Sequence, residues 1–269
     1  MNRISFCKFH GFGNDYIVFE ADDLRDVFSI ENFAEKVCRR NTGIGGDGIA
    51  VLEKSENGAA DYSCRIINPD GSEAGFSGNG TRCAVAYLYF KNLWSNENLK
   101  LETRSGIKNY QLLETDENAF WFRAELGKPL AVTNYELRIT SEVLPVITLD
   151  VGNPVCAIFV DDFAAIDWRA IGAEIETHRH FPERTNVVFI KTIDRKNVEI
   201  KIWERGAGET SSSGTCSMAA AIASAFVGKT DRKVSVHASG GTTETVWRDD
   251  GEMLITGRAD LAFCGEWFE

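Results

Sequence analysis

At 269 residues, with 43% hydrophobic and 26% charged residues, the chain has room for two packed domains, each with a core of its own. Lys and Arg number 29 against 40 Asp and Glu; the resulting net charge of −11, spread without long runs, speaks against nucleic acid or an anionic membrane as partner. No stretch approaches the roughly 18 apolar residues of a membrane span. The seven cysteines are scattered and never spaced C-x-x-C, which argues against a disulfide framework or zinc site and for a reducing cytoplasm.

Residues 4–9 alternate as a strand and run into His10-Gly-Phe-Gly-Asn14-Asp, a tight loop, after which 16–19 resume strand character. Ser29 reads as the N-cap of a helix with Phe33, Ala34 and Val37 on one face. The glycine-rich stretch 39–48 lacks the spacing of a dinucleotide fingerprint and has no Gly-Lys-Ser/Thr of a phosphate loop. Strands are expected over 49–52 and 62–67, an apolar helix over 83–90, then strands through Leu101, 110–113 and 120–125. Gly127-Lys-Pro129 is the candidate domain boundary. Beyond it come a strand over 146–149, the turn Gly152-Asn-Pro154, a strand over 155–160 and a helix over 164–175. Strands at 187–190 and 198–203 follow, then a helix from Gly214 ending near Gly228, and strands at 234–237, 243–247, 253–256 and 261–264.

One stretch occurs twice. Glu73-Ala-Gly-Phe-Ser77-Gly-Asn and Glu209-Thr-Ser-Ser-Ser213-Gly-Thr each place a glutamate, then a serine four residues on, then glycine and an Ala-containing helical run. Both pairs, Glu73 with Glu209 and Ser77 with Ser213, are 136 residues apart, and the strand at 62–68 lies over 198–204 at the same spacing. Gly13-Asn14 matches Gly152-Asn153 at 139. Agreement of order, element type and spacing indicates duplication. A helix start preceded by small residues presents backbone N–H groups to an anion, so two such starts suggest one pocket built from two halves.

The set His10-Gly-Phe-Gly-Asn-Asp15, Asn68-Pro-Asp-Gly-Ser-Glu73, Ser77-Gly-Asn-Gly-Thr-Arg-Cys83, Gly152-Asn-Pro154, Phe181-Pro-Glu-Arg-Thr-Asn186 and Glu204-Arg-Gly-Ala-Gly-Glu-Thr210 resembles the diaminopimelate epimerase family along nearly the whole chain. The resemblance implies an α+β fold of two pseudo-symmetric domains, each a curled, mostly antiparallel sheet around a central helix. It assigns 1–126 plus about 259–269 to the first domain and 127–258 to the second. It also implies a PLP-independent isomerase with no cofactor and no metal, inverting an amino-acid α-carbon: LL- to meso-diaminopimelate, in the lysine and cell-wall precursor pathway. A small-molecule amino acid is thus the expected partner, and a homodimer is compatible with such a chain. By position, the substrate contacts implied are Asn14, Asn68, Asn153, Asn186, Glu204 and Arg205, with the backbone of Gly78, Asn79, Gly214 and Thr215 holding the reacting carboxylate.

Three positions depart from the family. Its two acid/base cysteines are Ser77 and Ser213 here, and its Gly-Asn-Pro-His has become Gly-Asn-Pro-Val155. A thiol has a reference pKa of about 8.5, and each unit of mismatch costs roughly 1.4 kcal/mol in forming the base, so unaided serines are poor α-carbon bases. Three readings remain open: a paired Cys→Ser replacement that traps a ligand, divergence with a carboxylate (Glu73, Glu204 or Glu209) as proton carrier, or a binder that keeps the pocket. The loss of the histidine at 155 favours divergence. Ser77, Ser213 and Glu204 are the candidate catalytic residues, the serines having a simple alternative role as N-caps. Cys83 and Cys216 are offset from the family's positions and are expected to pack inward.

Overall fold

The computed structural model describes residues 3–56 and 58–269 and divides the chain into two compact units, Met1–Ala124 with Gly257–Glu269, and Glu125–Thr256. The first unit contains β1 (Arg3–Gly11), β2 (Asn14–Glu20), α1 (Ile30–Val37), β3 (Gly48–Lys54), β4 (Tyr62–Ile67), β5 (Glu73–Ala74), α2 (Gly78–Phe90), β6 (Asn98–Thr103), β7 (Gly106–Asp116) and β8 (Ala119–Glu125). The second contains β9 (Leu130–Arg138), β10 (Val143–Asp150), β11 (Pro154–Phe159), α3 (Trp168–Glu176), β12 (Asn186–Asp194), β13 (Asn197–Glu204), β14 (Gly208–Thr210), α4 (Gly214–Phe226), β15 (Lys233–Ala238) and β16 (Gly241–Trp247). The last strand, β17 (Met253–Phe268), begins in the second unit and ends in the first.

The order from β1 to β8 is repeated from β10 to β17, and the pairings repeat with it. β2 runs parallel to β3 as β11 does to β12, and β4 runs parallel to β6 as β13 does to β15, whereas β1–β2, β3–β4 and β6–β7 are antiparallel as are β10–β11, β12–β13 and β15–β16. Ile67 sits opposite Glu73 in one unit and Trp203 opposite Glu209 in the other, each pair 136 residues from its counterpart. The fold is α+β. Two glycines with left-handed backbone, Gly13 (φ 86°) and Gly152 (φ 94°), make the equivalent hairpin turns.

Within each unit the sheet wraps a helix that is buried on almost every side. α2 lies against β1 to β4, and its residues from Gly78 to Leu88 are buried; α4 lies against β10 to β13, β15 and β16, with Gly214 to Ser224 buried. α4 is built mainly of Ala, Ser, Gly and Cys, whereas α2 also buries large side chains such as Arg82 and Tyr87. The opposite face of each sheet carries a shorter amphipathic helix. Phe33, Ala34 and Val37 of α1 pack on Phe6, Ile17, Phe19 and Val51, and Trp168 and Ile175 of α3 pack on Cys156, Ile158, Val187 and Phe189. Because strand side chains alternate, Ile17 and Phe19 turn toward α1 while Tyr16 and Val18 turn toward α2.

Several expectations need correction. Although cysteine spacing argues against a disulfide framework, Cys7 and Cys264 form a disulfide: they are directly opposite in the antiparallel β1–β17 pair, with a sequence separation of 257 that spacing cannot reveal. The helix expected over 164–175 is two elements, a short 3-10 helix at Phe163–Ala165 and α3, because Asp167 caps a new start by accepting from Ala170 N–H at 3.1 Å. The strands expected at 253–256 and 261–264 are one strand, and the helix expected over 83–90 starts at Gly78. β9 carries no clear alternation and was not expected. No helix among the described residues is long and apolar enough to cross a membrane.

Candidate active site

Ser77 is extended (φ −134°, ψ 119°) and caps α2: its Oγ accepts from Gly80 N–H at 3.1 Å. Ser213 has the same conformation (φ −149°, ψ 124°) and caps α4 through Cys216 N–H at 3.4 Å. Gly78 and Asn79 in one unit and Gly214 and Thr215 in the other are the first two residues of these capped helices. Such a helix start favours a carboxylate through the helix dipole.

The second partner of each serine differs. Ser77 Oγ lies 2.9 Å from the hydroxyl of Tyr16, whereas Ser213 Oγ lies 3.3 Å from Thr215 Oγ1. Tyr16 is 6% exposed, and two glycines leave room for its ring: a Cβ on Gly48 or on Gly80 would come within 2.9 Å of Tyr16 Cε1.

Asn14 and Asn79 form a chain of amides. Arg82 Nη1 donates to Asn79 Oδ1 (2.9 Å), Asn79 Nδ2 to Asn14 Oδ1 (3.2 Å), and Asn14 Nδ2 to Asp47 Oδ2 (2.8 Å). All three side chains from Asn14 to Arg82 are buried, so each amide has its orientation set by its neighbour. Beyond Asp47, Arg40 bridges Asp47 (2.7 Å) and Asp15 (2.9 and 3.1 Å), and Lys8 reaches Asp15 at 2.8 Å. Burial works to raise the Asp15 carboxyl, but hydrogen bonds and charge from Arg40 and Lys8 outweigh it and hold it below the usual range. Asp47 is pushed up, first by burial and then by the Asp15 charge.

In the second unit Asn186 Oδ1 accepts from Arg205 N–H at 2.9 Å, and Arg205 Nη1 donates to the Glu183 carbonyl at 3.1 Å. Glu176 fixes this loop: it accepts from Trp203 Nε1 (2.8 Å) and Gly206 N–H (2.7 Å) and pairs with Arg184 (2.9 Å). Asn186, Arg205 and Glu204 are thereby brought to the ends of neighbouring strands β12 and β13. Asn153 sits in the turn ahead of β11, whose first residues run parallel to Asn186 and Val187. Asn68 belongs to the loop after β4, where its Nδ2 donates to Ser72 Oγ at 3.0 Å.

The carboxylates considered as proton carriers at the two repeats are engaged. Glu73 accepts from Arg65 at 2.9 and 3.2 Å, and Glu209 from Arg169 at 2.6 and 3.0 Å. Cys83 and Cys216 are wholly buried, and burial drives both thiols up, away from thiolate formation. Tyr16, Asp47, Arg40 and Glu176 escaped the sequence reading. Tyr16 had one available signal, its position inside the strand that follows Asn14, but nothing local couples it to Ser77, 61 residues on.

The two units are duplicates, each an α+β arrangement around a buried, serine-capped helix. Comparison with known proteins gives the family. The family described as diaminopimelate epimerase matches residues 6–132 and 147–262. The diaminopimelate epimerase of Pelotomaculum thermopropionicum is 36% identical over 278 aligned positions, covering 97% of this chain and 98% of that protein. That of Bacteroides thetaiotaomicron is 35% identical over 267, covering 98% of each. Among solved structures, a PhzF-family phenazine biosynthesis protein of Bacillus anthracis superposes with a TM-score of 0.76 at 18% identity over the full length of both chains. A hydroxyproline epimerase of Agrobacterium vitis with bound trans-4-hydroxy-L-proline gives 0.74 at 13% identity, covering 99% of this chain and 91% of that one. These two show the shared fold. The chain belongs to the diaminopimelate epimerase family and is an isomerase of that type.

Proposed function

We propose that the protein interconverts LL- and meso-diaminopimelate as a cytoplasmic enzyme of lysine and cell-wall precursor synthesis, with Ser77 and Ser213 acting on opposite faces of the α-carbon. The observation that carries this reading is the repeated helix start. Gly78-Asn79 and Gly214-Thr215 each follow a serine whose oxygen lies within hydrogen-bond reach of the first-turn amides. Inversion needs one proton-handling group per face and fixed donors for the carboxylate as the carbanion develops; a duplicated helix start supplies both kinds. Asn14, Asn68, Asn153, Asn186, Glu204 and Arg205 then supply the remaining substrate contacts, which orient the reacting carbon.

Incubation of the purified protein with LL-diaminopimelate in heavy water tests this. Deuterium entering the α-position together with meso product supports the reading; tight binding with no exchange replaces it with the second one, an amino-acid binder of little turnover. That second reading draws on both serine oxygens being engaged as caps. Isomerisation through Glu73 or Glu209 is disfavoured by their arginine pairs.

A further inference from the structure

One backbone N–H steadies an oxyanion but does not bring an alcohol near neutrality, so Ser77 needs a more acidic neighbour to exchange protons with carbon. The elements around it carry several titratable or charged groups: Lys8 and His10 on β1, Asp15 on β2, Arg40 and Asp47 ahead of β3, Cys64 on β4, and Arg82 and Cys83 on α2. Asp15, Asp47, Arg40 and Lys8 are bound to one another, Arg82 donates to Asn79, and burial pushes the Cys64 and Cys83 thiols up. The titratable side chain hydrogen-bonded to Ser77 Oγ is Tyr16, at 2.9 Å.

Resting on the reading of Ser77 as one of the two proton-handling groups, we infer that Tyr16 is a positioning and proton-exchanging partner of Ser77, forming with it a hydroxyl–phenol pair that takes the place of a single thiol. Taking a proton from carbon, Ser77 Oγ accepts the α-proton while its own hydroxyl proton passes to the Tyr16 phenolate; the products are the carbanion, a serine hydroxyl and a phenol. In the reverse sense Ser77 gives its proton to the carbanion and takes that of the phenol, leaving phenolate. No other reactant is required, and solvent resets the pair. A phenol has an ordinary pKa of about 10, closer to a thiol at about 8.5 than any alcohol is. The glycines at 48 and 80 leave room for the ring in this arrangement, because a Cβ at either one would come within 2.9 Å of it.

The test compares α-deuterium exchange from pH 6 to 11 in the full-length protein, in Tyr16→Phe, in Ser77→Cys and in Ser77→Cys/Tyr16→Phe. In the serine background Tyr16→Phe should cost about a hundredfold in kcat/KM and abolish its rise toward the phenol range, while in the cysteine background the loss should be at least about tenfold smaller. An equal loss in both backgrounds, with the pH profile unmoved, reduces Tyr16 to a packing residue and overturns the inference. Should the wild-type protein exchange no α-proton, the function proposed above is what fails. The pair is then read by NMR titration of 13Cζ-tyrosine, with the Tyr16 signal assigned by its loss in Tyr16→Phe. A midpoint displaced by Ser77→Ala supports the pair, and an unmoved one refutes it.

Discussion

The starts of α2 and α4 share a serine cap, an extended cap residue and a 13-residue helix, yet they are built around opposite choices of volume. Tyr16 is the residue of β2 beside Gly48 of β3; its counterpart in β11, beside Asn186 of β12, is Val155. Gly80, which lies under the Tyr16 ring, has Cys216 as its counterpart 136 residues on. In the first unit a large side chain on the strand is matched by an empty helix position. In the second a small side chain on the strand is matched by a filled one. Both helices are buried, from Gly78 to Leu88 and from Gly214 to Ser224, so a duplicated frame has kept its burial while its chemistry drifted apart. A phenol stands beside one serine, and a threonine hydroxyl beside the other.

Replacing both hydroxyls puts this comparison under the strongest strain. Ser77→Cys/Ser213→Cys should raise α-proton exchange by about a thousandfold, since a thiol is several units more acidic than an alcohol. Ser213→Cys alone should give the larger share, because Ser213 has no phenol to assist it; a dominant gain from Ser77→Cys would undo the asymmetry. Next in size, Glu176→Ala should lower stability by about 3 kcal/mol in a urea melt, since it strands Trp203 Nε1, Gly206 N–H and Arg184 together. Gly80→Ala should cost about 2 kcal/mol by forcing a Cβ against Tyr16 and Ile66. Cys216→Ala at the equivalent place, trimming one buried atom, should cost only about 1 kcal/mol. Equal values at the two positions would mean the volumes are not exchanged as described.

The smallest effect is on acid stability. The Asp15 carboxyl is held below its ordinary pKa, so as pH falls the unfolded chain takes up the proton first. Its contribution is complete above about pH 4 and drains away as pH drops through the lower folded value. Asp15→Asn should therefore flatten the fall in urea midpoint between pH 5 and pH 3, at some loss of stability near neutrality.

Local signals carried much of this design. The repeat at 136 residues put Ser77 and Ser213 in register, and serine before glycine before an apolar run marked both helix starts, as the capping distances bear out. The α+β fold and the family followed from motifs strung along the whole chain. What could not be read were contacts that only strand pairing creates. Tyr16 meets Ser77 because β2 and α2 pack together, and Cys7 meets Cys264 because β17 returns beside β1. Asp47 and Arg40 looked like part of a glycine-rich loop; their part in orienting Asn14 depends on where that loop crosses β2. The break between the 3-10 helix and α3 was hidden by apolar residues that continue a helical pattern through Asp167.

The return of β17 has a bearing on biosynthesis. Arg3 through His10 pair with Phe268 through Asp260, so β1 gains this neighbour only from a strand far along the chain, with Cys7 and its partner Cys264 separated by 257 residues. Until β17 has been made, the first unit carries an unsatisfied β1 edge, a template for stray pairing with another nascent chain. The strands of Glu125–Thr256 from β9 to β16, by contrast, find their neighbours within that segment. Nascent chains arrested before residue 257 should thus protect the later half from protease while the earlier half stays open to it, an order of maturation opposite to the order of synthesis.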